Sequence, residues 1–104
     1  MSAADNAAFD TAVVDSKKLT TKPSDDELLE LYALFKVASG EDITNSDKPG
    51  MFDLKGKAKR KAWQAKVDEG LTIDEAKKQY VALVEKLKAK LGYDANKSPE
   101  AVGS

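Results

Sequence analysis

Two short stretches, Ser24-Asp-Asp-Glu27 and Thr72-Ile-Asp-Glu75, decide much of what this chain can fold into. Each places a hydroxyl three residues before a glutamate, just ahead of a run with helical apolar spacing. The hydroxyl can accept from the backbone N–H of the glutamate, which can reach back to the cap's own N–H. Asp25, Asp26 and Glu27 also stand where the helix dipole favours negative charge. The two boxes predict helices over 24–38 and 72–91, closed by Gly40 and Gly92. The second carries the cleanest apolar stripe of the chain: Ala76, Tyr80, Leu83, Val84, Leu87 and Leu91.

Two weaker segments complete the set. Phe9, Ala12, Val13 and Ser16 make a stripe that predicts a helix from about Asp5 to Lys18, stopped by Thr20, Thr21 and Pro23. Asp53 can cap a helix over 54–67, which Asp68-Glu-Gly70 ends. No segment alternates with a period of two, so the expected class is all-α, a bundle of four helices. Between the second and third helices lies Ser39–Asp53, rich in Gly, Asp, Asn and Ser and containing Pro49-Gly50. Such a loop spans about 50 Å when extended, against about 21 Å for a 14-residue helix. It can return along a whole helix, so the third helix can run parallel to the second. Tyr93–Ser104 is polar and contains Pro99, which reads as a flexible tail. The expected organisation is one domain over 1–92 and a tail over 93–104.

Composition removes whole classes of chemistry. The chain of 104 residues has 0 Cys and 0 His. Disulfides, thiolate metal sites and any catalytic triad or pair built on His or Cys are excluded. A metal would need an all-oxygen cage, and Glu41–Asp47 lacks the ligand order of a calcium loop. No nucleophile–base pair can be assembled, so the chain reads as a binder and not an enzyme. The longest apolar runs, Leu31–Phe35 and Tyr80–Val84, are too short to span a membrane. The N-terminal residues lack the pattern of a signal peptide, and with no cysteine the cytosol is the expected compartment.

Two clusters could carry binding. Leu28, Tyr32 and Phe35 form a second stripe on the second helix, with Lys36 beside it. Rings and an ammonium could hold a planar anion; equally, the rings could be half-buried core with Lys36 reaching past them. On the third helix Lys55, Lys57, Lys59, Arg60, Lys61 and Lys66 stand without an acid between Leu54 and Val67. Like charges so close repel. They fit a phosphate-bearing ligand, a solvated face paired with acids elsewhere, or a nucleic-acid or import patch. A net charge of −1 weighs against nucleic acid. Trp63 could be core or a stacking surface.

Three motifs, in order, resemble the acyl-CoA-binding proteins. They are Thr21-Lys-Pro-Ser-Asp-Asp-Glu-Leu-Leu-Glu-Leu-Tyr-Ala-Leu-Phe-Lys36, Lys48-Pro-Gly-Met-Phe-Asp-Leu-Lys-Gly-Lys-Ala-Lys59 with Ala62-Trp63, and Asp74-Glu-Ala-x-x-x-Tyr80. The resemblance covers roughly Ala8 to Gly92 and looks like that of a small, single-domain, fungal member. It implies an up-down-down-up four-helix bundle that binds long-chain acyl-CoA thioesters with high affinity, as an intracellular carrier and pool former. It implies no cofactor, no nucleic acid, no stable membrane insertion beyond transient contact, and a monomer. Carried over by position, the ligand residues would be Lys17, Leu28, Leu29, Tyr32, Phe35, Lys36, Lys55, Lys59 and Tyr80. Lysines would meet the 3′-phosphate and pyrophosphate, Tyr32 and Phe35 the adenine, and Leu28 and Leu29 the acyl groove. Phe35 stands where the family usually has Tyr, Val37 where it has Gln, and Arg60 where it has Trp.

Overall fold

The computed structural model describes residues 3–46 and 48–97. Four helices follow one another: α1 (Ala3–Ser16), α2 (Asp25–Ala38), α3 (Leu54–Asp68) and α4 (Ile73–Leu91). Both capping boxes form. Ser24 Oγ accepts from Glu27 N at 3.2 Å, and Ser24 N donates to Glu27 Oε1 at 2.8 Å. The reciprocal pair at Thr72 and Glu75 is 3.1 Å each way. Helix α1 both begins and ends two residues earlier than its apolar spacing predicts.

Parallel and antiparallel directions follow from the contacts. Along α1, Asn6 meets Lys77, Phe9 meets Tyr80, and Asp15 meets Lys88, so α1 and α4 run the same way. Helix α2 opposes them: Glu27 at its start pairs with Lys90 near the end of α4, at 2.8 Å. Across α2 and α3, Tyr32 meets Lys59 and Lys36 meets Trp63, keeping the order in both helices. The order is up-down-down-up.

The core lies between α1, α2 and α4. Leu34, Val84 and Leu87 are fully buried, with Phe9, Ala12, Leu31, Ala76 and Tyr80 around them. Each buried leucine or valine is worth about 1.5–3 kcal/mol relative to exposure. Helix α3 contributes only Trp63 to this core.

The crossing loop is less irregular than its composition implies. Residues Ile43–Asn45 form one 3₁₀ turn, capped by Asp42 through Thr44 N at 2.9 Å. The buried Ile43 side chain is the reason, because it pins the loop to the core.

Gly92, the expected domain boundary, is no boundary in the hydrogen bonding. Leu19 and Tyr93 form a short antiparallel bridge. Thr20 N donates to Gly92 O, Asp94 N to Lys18 O, and Lys97 Nζ to Leu19 O. Tyr93 Oη reaches the buried Asp15 carboxylate at 2.9 Å. Gly92 has φ of +84°, and a Cβ there would stand 2.2 Å from Thr20 Oγ1, so this crossing requires glycine. Residues 93–97 thus strap α1 to α4; the rest of the expected tail, 98–104, lies outside the described residues.

Candidate functional site

Helix α3 stands away from the core on one edge, and a cleft of about 450 Å³ opens between it, α2 and the crossing loop. Tyr32 and Lys36 enter from α2; Lys48, Pro49 and Gly50 from the loop; Lys59, Arg60 and Trp63 from α3. The local sequence explains this wall. Asp53 caps α3 by accepting from Gly56 N at 2.9 Å. A Cβ on residue 56 would meet that carboxylate at 2.3 Å, so only glycine lets the cap close over the helix start. One turn on, Lys59 and Arg60 then face α2 and the loop.

The Tyr32 ring lies between two ammoniums. Lys36 Nζ is 5.6 Å from its centroid and Lys59 Nζ 5.4 Å. Lys36 also lies 5.5 Å from the Trp63 ring. Such contacts are worth about 0.5–1 kcal/mol each, enough to orient the cations and too little to neutralise them. Lys36 has a partial counter-charge in Glu41 at 2.9 Å. Arg60 is held by the loop, donating to Ile43 O at 3.1 Å and to Ser46 Oγ. Trp63 is buried, and its Nε1–H has no partner among the described residues. A ring lifted on cations, an unpaired buried donor and open volume together make an anion site with a stacking surface.

Of the three readings open for the α3 lysines, the paired, solvated face is the least satisfied. Only Lys66 finds acids, Glu30 at 2.6 Å and Glu69 at 3.5 Å. Lys55, Lys57, Lys59 and Lys61 enter no ion pair among the described residues.

The cleft gathers Tyr32, Lys36 and Lys59 from the expected set and leaves the others apart. Phe35 packs at 6.1 Å from Phe9 and 6.4 Å from Tyr80, on the core side of the same α2 stripe. Tyr80 is buried, with its hydroxyl donating to Ser16 Oγ at 3.2 Å, and burial pushes its pKa up. Leu28 is buried and Leu29 half-buried on α2; Lys17 is half-buried just past α1, and Lys55 is exposed at the start of α3. Sequence reasoning did not place Arg60 or Lys48 at the site. Arg60 registered only as a departure from the family pattern. The signal for Lys48 was its position directly before the Pro49-Gly50 turn that folds onto Gly56.

A family model described as acyl CoA binding protein matches residues 6–84. The chain belongs to the acyl-CoA-binding protein family. It is 60% identical over 85 residues to acyl-CoA-binding protein homolog 1 of Caenorhabditis elegans, covering 82% of this chain and 95% of that protein. An acyl-CoA-binding protein homolog of Manduca sexta is 51% identical over 84 residues, 81% of this chain and 91% of its own. One of Drosophila melanogaster is 49% identical over 82 residues, 79% and 92%. These relatives are animal proteins, so the expected fungal kinship is not borne out. The family match holds the cleft and the core, and ends before the strap at 93–97.

Proposed function

We propose that this protein binds long-chain acyl-CoA thioesters with high affinity and acts as a cytosolic carrier and pool former, as a monomer without cofactor or nucleic acid. It is a binding protein and not an enzyme. The observation that carries the reading is the pair Lys36 and Lys59 astride Tyr32 at the mouth of the α2–α3 cleft. Coenzyme A presents a 3′-phosphate and a pyrophosphate beside an adenine ring. Ammoniums fit the phosphates as point charges, and Tyr32 and Trp63 offer faces for the ring. Lys48 and Arg60 add charge at the same mouth, and Lys17 and Lys55 extend it. In this reading Leu28 and Leu29 receive the acyl chain, at about 0.8 kcal/mol per buried CH₂. Phe35 and Tyr80 support the groove from the core side.

Calorimetry with palmitoyl-CoA, free CoA and palmitate in parallel tests it. One-to-one binding of the thioester, with far weaker binding of either fragment, is the expected result. Equal binding of CoA and palmitoyl-CoA would remove the acyl groove, and no binding of any would remove the reading.

A further inference from the structure

The residues that start α3 carry a second feature, on the side facing away from the core. Phe52 is 89% exposed, Leu54 77% and Met51 75%, three large apolar side chains in four positions. The other exposed large apolar residues, such as Val14 and Ile73, are less than half exposed and scattered. A concentrated apolar tip on a water-facing turn marks an interaction site.

Charge identifies the partner. Between Lys48 and Lys61 there are six cations and one carboxylate, Asp53, which is engaged by Gly56 N. Lys57 Nζ donates to Met51 O at 2.6 Å, which seats a cation at the base of the tip. Leu54, Lys57 and Lys61 follow at spacings of three and four, so they share one stripe. Trp63, nine residues after Leu54, lies about two and a half turns on, on the opposite, buried side. The exposed stripe is therefore apolar at its tip and cationic behind it, which matches a bilayer surface with an acyl boundary beneath anionic headgroups.

We propose that Met51, Phe52 and Leu54, backed by Lys55, Lys57 and Lys61, form a docking surface for an anionic lipid bilayer. The tip enters the headgroup boundary, and the lysines meet lipid phosphates and carboxylates. Pro49, Gly50, Asp53 and Gly56, which interleave with the tip, also line the cleft. Docking therefore sets the cleft mouth at headgroup level. If the cleft takes acyl-CoA, as proposed above, that is the depth at which a membrane-dissolved acyl-CoA displays its head. Docking itself needs no ligand, and its contacts are few, so it is weak and reversible.

Vesicle co-sedimentation of the full chain, without acyl-CoA, tests the surface. Phosphatidylcholine vesicles are used with and without phosphatidylserine. The expected result is binding to the anionic vesicles that weakens with salt and is lost by at least about tenfold in M51S/F52S/L54S. A second variant, F52W, should show a blue-shifted emission on anionic vesicles that the wild type, with Trp63 alone, does not. No wild-type binding at low salt, or equal binding by the triple variant, would overturn the proposal. Palmitoyl-CoA calorimetry on the triple variant should match wild type. Loss of ligand affinity there would overturn docking by making the tip part of the ligand groove, as would partition of the tip onto an added protein in preference to lipid. If the wild type binds vesicles but no acyl-CoA, the functional reading fails and the docking surface stands.

Discussion

The two sides of this bundle treat charge in opposite ways. Where α1, α2 and α4 meet, cations find acids across helices: Lys88 holds Asp15 at 2.5 Å, and Lys90 holds Glu27 at 2.8 Å. Helices α2 and α4 open with acids in their first turns, Asp25, Asp26 and Glu27 in one and Asp74 and Glu75 in the other. Helix α3 has no acid in its first turn, gives one side chain to the core, and leaves Lys55, Lys57, Lys59 and Lys61 without ion pairs among the described residues. The difference teaches that stability and binding reside on separate helices. Repulsion left in place on α3 is relieved by an incoming anion, so ligand binding is coupled to a local electrostatic cost that the core does not share.

That division can be broken most forcefully in the core. Leu87→Ala, at a fully buried site, should cost about 2–5 kcal/mol in urea denaturation. Truncation after Gly92 should come next. It removes the Tyr93–Asp15 hydrogen bond and the pairing of Asp94 and Lys97 with Lys18 and Leu19. A loss of about 1–3 kcal/mol is expected for so few hydrogen bonds, and an unchanged melting temperature would show that the strap contributes nothing.

Acid should act on the same side. Hydrogen bonds from Lys90 and Ser24, with the Lys90 charge, lower Glu27 from its usual 4.5 to about 2. At Asp15, burial raises the pKa, but hydrogen bonds from Lys88 and Tyr93 and the charges of Lys88 and Lys18 outweigh it, leaving the group below its usual 3.8. Both groups bind protons more weakly folded than unfolded. Their stabilisation is present above the unfolded values and is lost as pH falls through the folded ones. Denaturation midpoints should hold above about pH 5 and fall toward pH 2, with a shallower fall in Glu27→Gln. On α3 the smallest effect is expected: Lys61→Ala should shift stability by no more than about 0.5 kcal/mol, read in the same denaturation series.

The sequence made the helices legible because their starts are chemically marked. Ser24, Thr72 and Asp53 each cap where their spacing requires, and the α4 stripe is buried as its periodicity predicts. The crossing was legible from loop length alone. Less visible were contacts between residues distant in the chain. Nothing near Tyr93 announces that its hydroxyl meets Asp15, and nothing near Ile43 that it anchors a loop. At the site, Tyr32, Lys36 and Lys59 could be read from ring and charge spacing. Phe35 and Tyr80 share the same residue types but face the core, a distinction set by which side of α2 meets α1 and α4.

The most direct measurement is a palmitoyl-CoA titration of Lys36→Ala/Lys59→Ala beside the wild type, with melting temperatures of both. Each lost charged contact is worth about 1.5–3 kcal/mol, or about tenfold or more in affinity per lysine. The expected result is a fall of at least about a hundredfold with an almost unchanged melting temperature. Wild-type affinity in the double variant would contradict the assignment of binding to the α2–α3 cleft.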